Sequence, residues 1–324
     1  MCQIKKKENY KKESSETIRK IGFQSKQTKN SKQLEQSAGC LHTESFQFEA
    51  FLKQTEQSSN IVLNDFLEWF IGFFEAEGSF SHWFDGKKWR FQIEITQKGP
   101  KLMYKIKKKM GFGNVLCFCR NKQTYWRYQI SKRTHIQTII FLFNGNLMTN
   151  HKYHMFFRFA FAFSRLNKIP MHLLEKNSHP ISLSTYWLSG FLEGDGGFWA
   201  AQKKTKARTK LSSGLYVKFY VTQKNEFGLL NQIKNVFEIS GNIYQLNNGQ
   251  TPVLYNRLET CQLKSLQKIR IYLQTYPFLG QKNLLVKRWI RLIGYKEKDY
   301  PMTKKSSQKL TRLIASTKQA SLIS

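Results

Sequence analysis

Apolar residues in "LNDFLEWFIGFFEA" (63–76) recur at helical spacing, and after Gly78 the period changes to two. That pattern predicts a helix followed by two strands, "SFSHWF" (79–84) and "WRFQIEIT" (89–96), turning at Asp85 and Gly86. The same order returns later. "LSTYWLSGFLEG" (183–194) reads as a helix, with strands "GFWAAQ" (197–202) and "LYVKFYVT" (215–222) on either side of the basic loop "KKTKARTKLSS" (203–213). Asn64 and Ser182 stand where N-caps belong, and Gly78 and Gly196 where the helices should stop. "KLMYKIKKKM" (101–110) and "FGLLNQIKNVF" (227–237) have helical spacing, with Lys105, Lys107, Lys108 and Lys109 as a solvated face. Each stretch is therefore α+β.

The two stretches are copies of one design. Subtracting 118 places Trp187 on Trp69, Gly190 on Gly72, Phe191 on Phe73, Glu193 on Glu75, Asp195 on Glu77, Gly196 on Gly78 and Phe198 on Phe80 without a gap. "TQK" recurs at 96–98 and 222–224, and "GNV" at 113 becomes "GNI" at 241, the growing offset reflecting the longer basic loop. The expected organisation is a polar extension at 1–60, disordered by composition, then a first half at 61–166. A linker at 167–183, broken by Pro170 and Pro180, leads to a second half at 184–298 and a basic tail at 299–324.

Charge narrows the partner. Against 53 Lys and Arg stand 21 Asp and Glu, a net +32, so a polyanion is expected, nucleic acid before membrane. The sequence has no run of about eighteen apolar residues to span a bilayer. Five cysteines without a C-x-x-C pair argue against both a disulfide framework and a zinc ribbon; Cys117 and Cys119 fit alternate strand positions, and His151 and His154 lack a second ligand pair. "FFRFAFAF" (156–163) reads as a core-facing helix segment. Abundant Phe and Lys fit an AT-rich organellar genome, mitochondrial or chloroplast.

In such a basic chain, two acids in an apolar run, repeated in register, call for an explanation. Gly72 and Ala76, like Gly190 and Gly194, are four apart, so each first helix has a small-residue face along which two backbones can approach. Packed about a pseudo-two-fold axis, the helices would bring Glu77 and Asp195 together. Two carboxylates at helix C-termini repel each other and oppose the macrodipole, at about 0.3–1 kcal/mol each for the dipole alone. A divalent cation would offset this and could activate water.

"FIGFFEAEG" (70–78) and "LSGFLEGDG" (188–196) resemble the paired motifs of single-chain LAGLIDADG homing endonucleases, and the likeness covers residues 61–298. The resemblance implies two pseudo-symmetric αββαββα half-domains with antiparallel, saddle-shaped sheets and the motif helices packed at the pseudo-two-fold axis. It also implies metal-dependent double-strand cleavage of a long asymmetric DNA target by an intron-encoded monomer using Mg²⁺, with Mn²⁺ able to substitute. By the same resemblance Glu77 and Asp195, with backbone near Ala76 and Gly194, hold metal, while Gln97 and Gln223 contact the solvent around the attacking water. Lys132 matches the phosphate-stabilising lysine; in the second half Lys264 is nearest, although the repeat alignment sets Gln262 opposite Lys132. Two departures stand out: Glu77 in place of the commoner aspartate, and Gly194 in place of alanine, which the packing is expected to tolerate.

Alternation predicts a wet sheet face for the major groove. On it fall Arg90, Gln92 and Glu94 in one half and Tyr216, Lys218 and Tyr220 in the other, extended by Ser81, Trp83, Trp199 and Lys203. Lys203, Lys204, Lys206, Arg208 and Lys210 would grip phosphates. A second reading is an RNA-binding maturase acting on its host group I intron, which would not need the acids; a third is a DNA-binding protein that does not cut.

Overall fold

The structure, a computed structural model, describes residues 46–56, 61–202, 214–246, 255–298 and 303–323. After α1 (Glu49–Thr55), helix α2 (Ile61–Glu77) runs straight into β1 (Gly78–Phe84). The first half continues with β2 (Trp89–Gln97), α3 (Pro100–Met110), β3 (Asn114–Arg120), β4 (Gln123–Ile130), α4 (Arg133–Phe143) and α5 (Asn150–Asn167). The second half repeats the order: α6 (Trp187–Asp195), β5 (Gly196–Gln202), β6 (Leu215–Lys224), α7 (Phe227–Val236), β7 (Tyr244–Leu246), β8 (Tyr255–Thr260), α8 (Leu263–Thr275) and α9 (Lys282–Glu297). Helix α10 (Lys304–Ile323) follows.

Each half forms a four-stranded antiparallel sheet, β1-β2-β4-β3 and β5-β6-β8-β7, as the αββαββα order requires. The registers are equivalent, with Gly78 opposite Ile95 and Gly196 opposite Val221. Alternation sorts the faces: Phe91, Ile93 and Ile95, and likewise Val217, Phe219 and Val221, are buried under helices. Aromatic rings dominate that core. Phe74 lies 4.5 Å from Phe143 and Phe80 lies 5.3 Å from Phe159, while Phe198 lies 5.1 Å from Trp289 in the second half. In "FFRFAFAF", Phe156, Phe159, Ala160 and Phe163 face inward, but Phe157 and Phe161 are exposed, so the segment is amphipathic rather than wholly core.

The halves meet through α2 and α6. A Cβ on Gly72 would stand 2.0 Å from the Trp187 carbonyl oxygen, and one on Gly190 would stand 1.9 Å from that of Trp69. Backbone touches backbone, and only glycine permits it. At Gly194 a Cβ would lie 2.3 Å from that of Ala76, so the close packing accommodates glycine in place of alanine there. Gly78 and Gly196 do end the helices, but Gly196 is extended rather than left-handed. Both glycines are needed for space, against the Phe74 ring and the Leu192 carbonyl.

The predicted N-caps are not used. Asn64 lies inside α2, and α6 starts five residues after Ser182. The donors at the start of α6 go to other elements: Tyr186 N–H to Glu68 Oε2 at 2.8 Å, and Ser189 N–H to the Tyr272 hydroxyl at 2.8 Å. A docked helix can be capped by its neighbours as well as by its own side chain.

Two boundaries change. Residues 46–56, expected to be disordered, fold onto the first half: Phe46, Phe48, Phe51 and Leu52 are buried, and Asn146 exchanges two hydrogen bonds with the Gln47 backbone at 2.8 and 2.7 Å. In the expected tail, Leu310, Ile314 and Thr317 of α10 are buried, and Arg288 Nη1 donates to the Ser316 carbonyl at 2.7 Å. Phe51→Ala is expected to cost about 3 kcal/mol in urea unfolding; an unchanged midpoint would show that α1 adds nothing to the core. Beyond Asn167, which ends α5, the linker has no helix or strand yet is fixed by Asn144 to the His172 and Leu174 backbone at 2.9 and 2.8 Å.

Candidate active site and nucleic-acid interface

The glycine contacts bring Glu77 and Asp195 to one end of the helix pair, where β1 and β5 begin. Asp195 Oδ2 accepts from Gln223 Nε2 at 2.5 Å, from the end of β6. Glu77 is exposed and lines a cleft with Gln97, Gly99, Leu102, Gly194, Gln281 and Lys282. Burial pushes the Asp195 carboxyl up to about 6; Glu77 adds to the rise, while Gln223, Lys282 and Lys152 oppose it.

The lysines beside these acids are not the ones anticipated. Lys132 is exposed at the N-cap of α4. β4 carries it away from Gln97, whose strand partner is Trp126, whereas Ile130, two residues before Lys132, pairs with Ile93. Lys264 is 80% exposed and paired with Glu238 at 2.9 Å. Gln262 takes the place of Lys132, at the N-cap of α8, so the alignment that set them opposite each other is correct.

Lys152 and Lys282 face the acids instead. Lys282 Nζ donates to the Glu193 and Gly194 carbonyls at 2.9 and 3.0 Å, and Lys152 Nζ donates to the Gly78 carbonyl. Both interact electrostatically with Asp195 and Glu77, and burial lowers both ammonium pKa values. Two ammonium groups at the negative ends of two helices thus supply part of the positive charge the acids call for. The signal was in the sequence: the offset of 130 that sets Gln262 on Lys132 also sets Lys282 on Lys152.

The first acids of the motifs are buried in a reciprocal exchange. Trp69 Nε1 donates to Glu193 Oε2 at 3.0 Å and Trp187 Nε1 to Glu75 Oε2 at 2.6 Å, so each motif tryptophan bonds the other motif's glutamate. Glu75 also accepts from the Met148 and Thr149 N–H groups at 2.8 and 2.6 Å, and Glu193 from those of Leu279 and Gly280 at 2.8 and 2.6 Å. Burial pushes Glu75 up to about 7 and raises Glu193, against these bonds, which favour the charged form.

The outer sheet faces carry the anticipated residues. Ser81, Trp83, Arg90, Gln92 and Glu94 share one face by register, and Trp199, Lys218, Tyr216 and Tyr220 share the equivalent face. β4 and β8, not foreseen as contributors, add residues to both. Arg127 bonds Glu94 at 2.9 Å and Gln129 bonds Gln92 at 2.9 Å; Glu259 takes Lys218 and Arg257 at 2.7 and 3.1 Å, with the Arg257 guanidinium 4.0 Å from the centre of the Tyr220 ring. These networks hold long polar side chains upright. The basic loop 203–213, with Lys203, Lys204, Lys206, Arg208 and Lys210, lies outside the described residues. Among the described residues no helix is long and apolar enough to cross a membrane, and no three His, Cys, Asp or Glu gather to hold a metal.

A glycine-packed helix pair ending in two acids, between two antiparallel sheets, defines the class, and comparison with known proteins agrees. The LAGLIDADG endonuclease family model matches residues 70–163 and 188–293, more than half of the chain, and the chain belongs to that family. It is 26% identical over 226 residues to Probable intron-encoded endonuclease 4 of Neurospora crassa, a match covering 69% of this chain and 39% of that protein's length. It is 26% identical over 267 residues to Probable intron-encoded endonuclease Cox1-I1b of Schizosaccharomyces pombe, covering 74% and 67%. In fold it is similar to the LAGLIDADG meganuclease I-AabMI bound to uncleaved DNA, with a TM-score of 0.60 at 16% identity over 77% of this chain and 98% of the other.

Proposed function

We propose that this chain is a metal-dependent homing endonuclease that hydrolyses one phosphodiester on each strand of a long asymmetric duplex, leaving a staggered break, and that it acts as a monomer. The observation that carries the reading is the convergence of Glu77 and Asp195, from two copies of one motif, where the two sheet faces begin. Retention of both acids favours cleavage over splicing assistance. The relatives, named as intron-encoded, point to an intron gene, which we place in an organelle.

The donor set suits a hard cation: two carboxylates, the amide oxygens of Gln97 and Gln223 nearby, and helix-end carbonyls at Ala76 and Gly194, an all-oxygen environment for Mg²⁺ or Mn²⁺. Bound there, the cation would lower the pKa of water and stabilise charge on the phosphate. Gln223 orients Asp195, and Lys152 and Lys282 place positive charge where the scissile phosphates would gather negative charge. The outer faces read base edges in the major groove, and the cations of the loops and sheets hold phosphates.

The test is cleavage of a randomised duplex library with Mg²⁺ or with chelator. Metal-dependent cuts at one long motif are expected; uniform degradation, or none, would overturn the reading. Binding to the selected site should weaken by about 10³-fold or more between 50 and 200 mM salt, and a flat salt response would argue against phosphate anchoring.

The Asp195 carboxyl also sets a pH limit. Its folded value of about 6 lies above its ordinary 3.8, so the metal-free protein gives up stability as this group ionises with rising pH across that window. Metal binding needs the ionised form, so the cleavage rate at subsaturating Mg²⁺ should fall by about tenfold per pH unit well below pH 6. A rate that is flat down to pH 5 would remove Asp195 from the metal site.

A further inference from the structure

We propose that Glu75 and Glu193 are positioning residues for the two site lysines. Each carboxylate fixes the turn that delivers one lysine, and each is itself held by the tryptophan of the opposite motif helix. The catalytic consequence rests on the endonuclease reading above; the placement of the lysines does not.

The connections close into two rings. Glu193 accepts from the Gly280 N–H at 2.6 Å; two residues on, Lys282 opens α9 and returns its ammonium to the Glu193 carbonyl at 2.9 Å. One residue therefore holds both ends of the turn, by its side chain and by its backbone. Gly280 is required for the approach, since a Cβ there would stand 2.6 Å from Glu193 Oε1. In the first half, Glu75 holds the Met148 and Thr149 N–H groups, the Thr149 side chain accepts from the Lys152 N–H at 3.4 Å, and the Lys152 ammonium returns to the Gly78 carbonyl at the end of α2.

Each carboxylate takes three N–H donors that a neutral side chain of similar size cannot all satisfy, and the Thr149 hydroxyl adds to those on Glu75. Glutamine would present its own N–H₂ to at least one of them and release either the turn or the tryptophan. The cross-links give the rings a shared anchor. Trp69, on the first motif helix, steadies the turn of Lys282; Trp187, on the second, steadies that of Lys152. Helix packing and lysine placement are thereby coupled across the pseudo-two-fold axis.

The experiment is amine footprinting of the full chain with an acetylating reagent, read at each lysine by mass spectrometry. Lys152 and Lys282 should be protected in the wild type. Glu193→Gln should raise acetylation of Lys282 by about 10–100-fold and leave Lys152 protected, and Glu75→Gln should do the reverse. Gly280→Ala provides a second route to Lys282 should Glu193→Gln fold poorly, and is expected to expose that lysine alone. Both lysines changing together in every variant, or neither changing in a folded variant, would overturn the proposal. On the selected duplex, each glutamine variant should lower the single-turnover rate by about 10–100-fold with DNA affinity in Ca²⁺ nearly unchanged; equal loss of affinity would point to a merely structural role. Absence of cleavage by the wild type would refute the endonuclease reading, and the footprint alone would then decide the positioning.

Discussion

Asp195→Asn is expected to reduce duplex cleavage by about 10³-fold while leaving affinity for the same duplex, measured with Ca²⁺, within a few-fold. The substitution keeps the shape and leaves an amide oxygen to accept from Gln223, so the fold has little reason to change. What it removes is one of the two carboxylates that end the motif helices. Glu77→Gln should match it. Its side chain lines the cleft from the other helix with Gln97 and Lys282, and it is the more exposed of the pair. Cleavage gels of a doubly labelled duplex check both. Undiminished cutting by either variant would place the chemistry elsewhere; a product nicked on one strand would show that each acid serves one phosphodiester.

Gly72→Ala is expected to abolish the cooperative thermal transition, and Gly190→Ala likewise. Over-packing with a methyl group ordinarily costs about 1–3 kcal/mol, because side chains yield. Here the new Cβ would meet the Trp187 carbonyl oxygen at 2.0 Å and the Phe191 nitrogen at 2.9 Å, both backbone atoms of a helix that cannot yield locally. Relief would require α2 and α6 to part, opening the buried seam between the halves and breaking both Trp–Glu bonds that cross it. That exceeds the margin of a protein stable by about 5–15 kcal/mol. Gly294→Ala is the control: it lies in α9 with open space around its Cβ, and alanine there should stabilise by about 1 kcal/mol. Melts by circular dichroism separate the outcomes, and a native-like melt for Gly72→Ala would disprove the close approach.

Much of this was readable in the chain because the repeat supplies its own control. Gly72 with Gly190, and Glu77 with Asp195, stand out by coincidence in register, and the strands by their strict alternation. The rest was obscured for physical reasons. Lys152 and Lys282 sit late in each half, each in a locally ordinary helix start; the repeat offset pairs them, but only three-dimensional packing brings them beside the acids. Gln129, Arg127, Arg257 and Glu259 lie on strands that reach the outer face through pairing, which local periodicity does not report. The segment around Phe46 and Phe51 and the helix bearing Leu310 are short apolar runs in polar surroundings, and they fold because the body of the protein offers a surface.

The exchange of indole and carboxylate between the motif helices also limits how such a chain can be recombined. A half of this chain joined to a half from a relative brings a tryptophan that must find a glutamate in a stranger, and a glutamate awaiting that stranger's tryptophan. Hybrids of new target preference will therefore need Trp69, Glu75, Trp187 and Glu193, or their counterparts, to travel as a compatible set along with the glycines that let the helices meet.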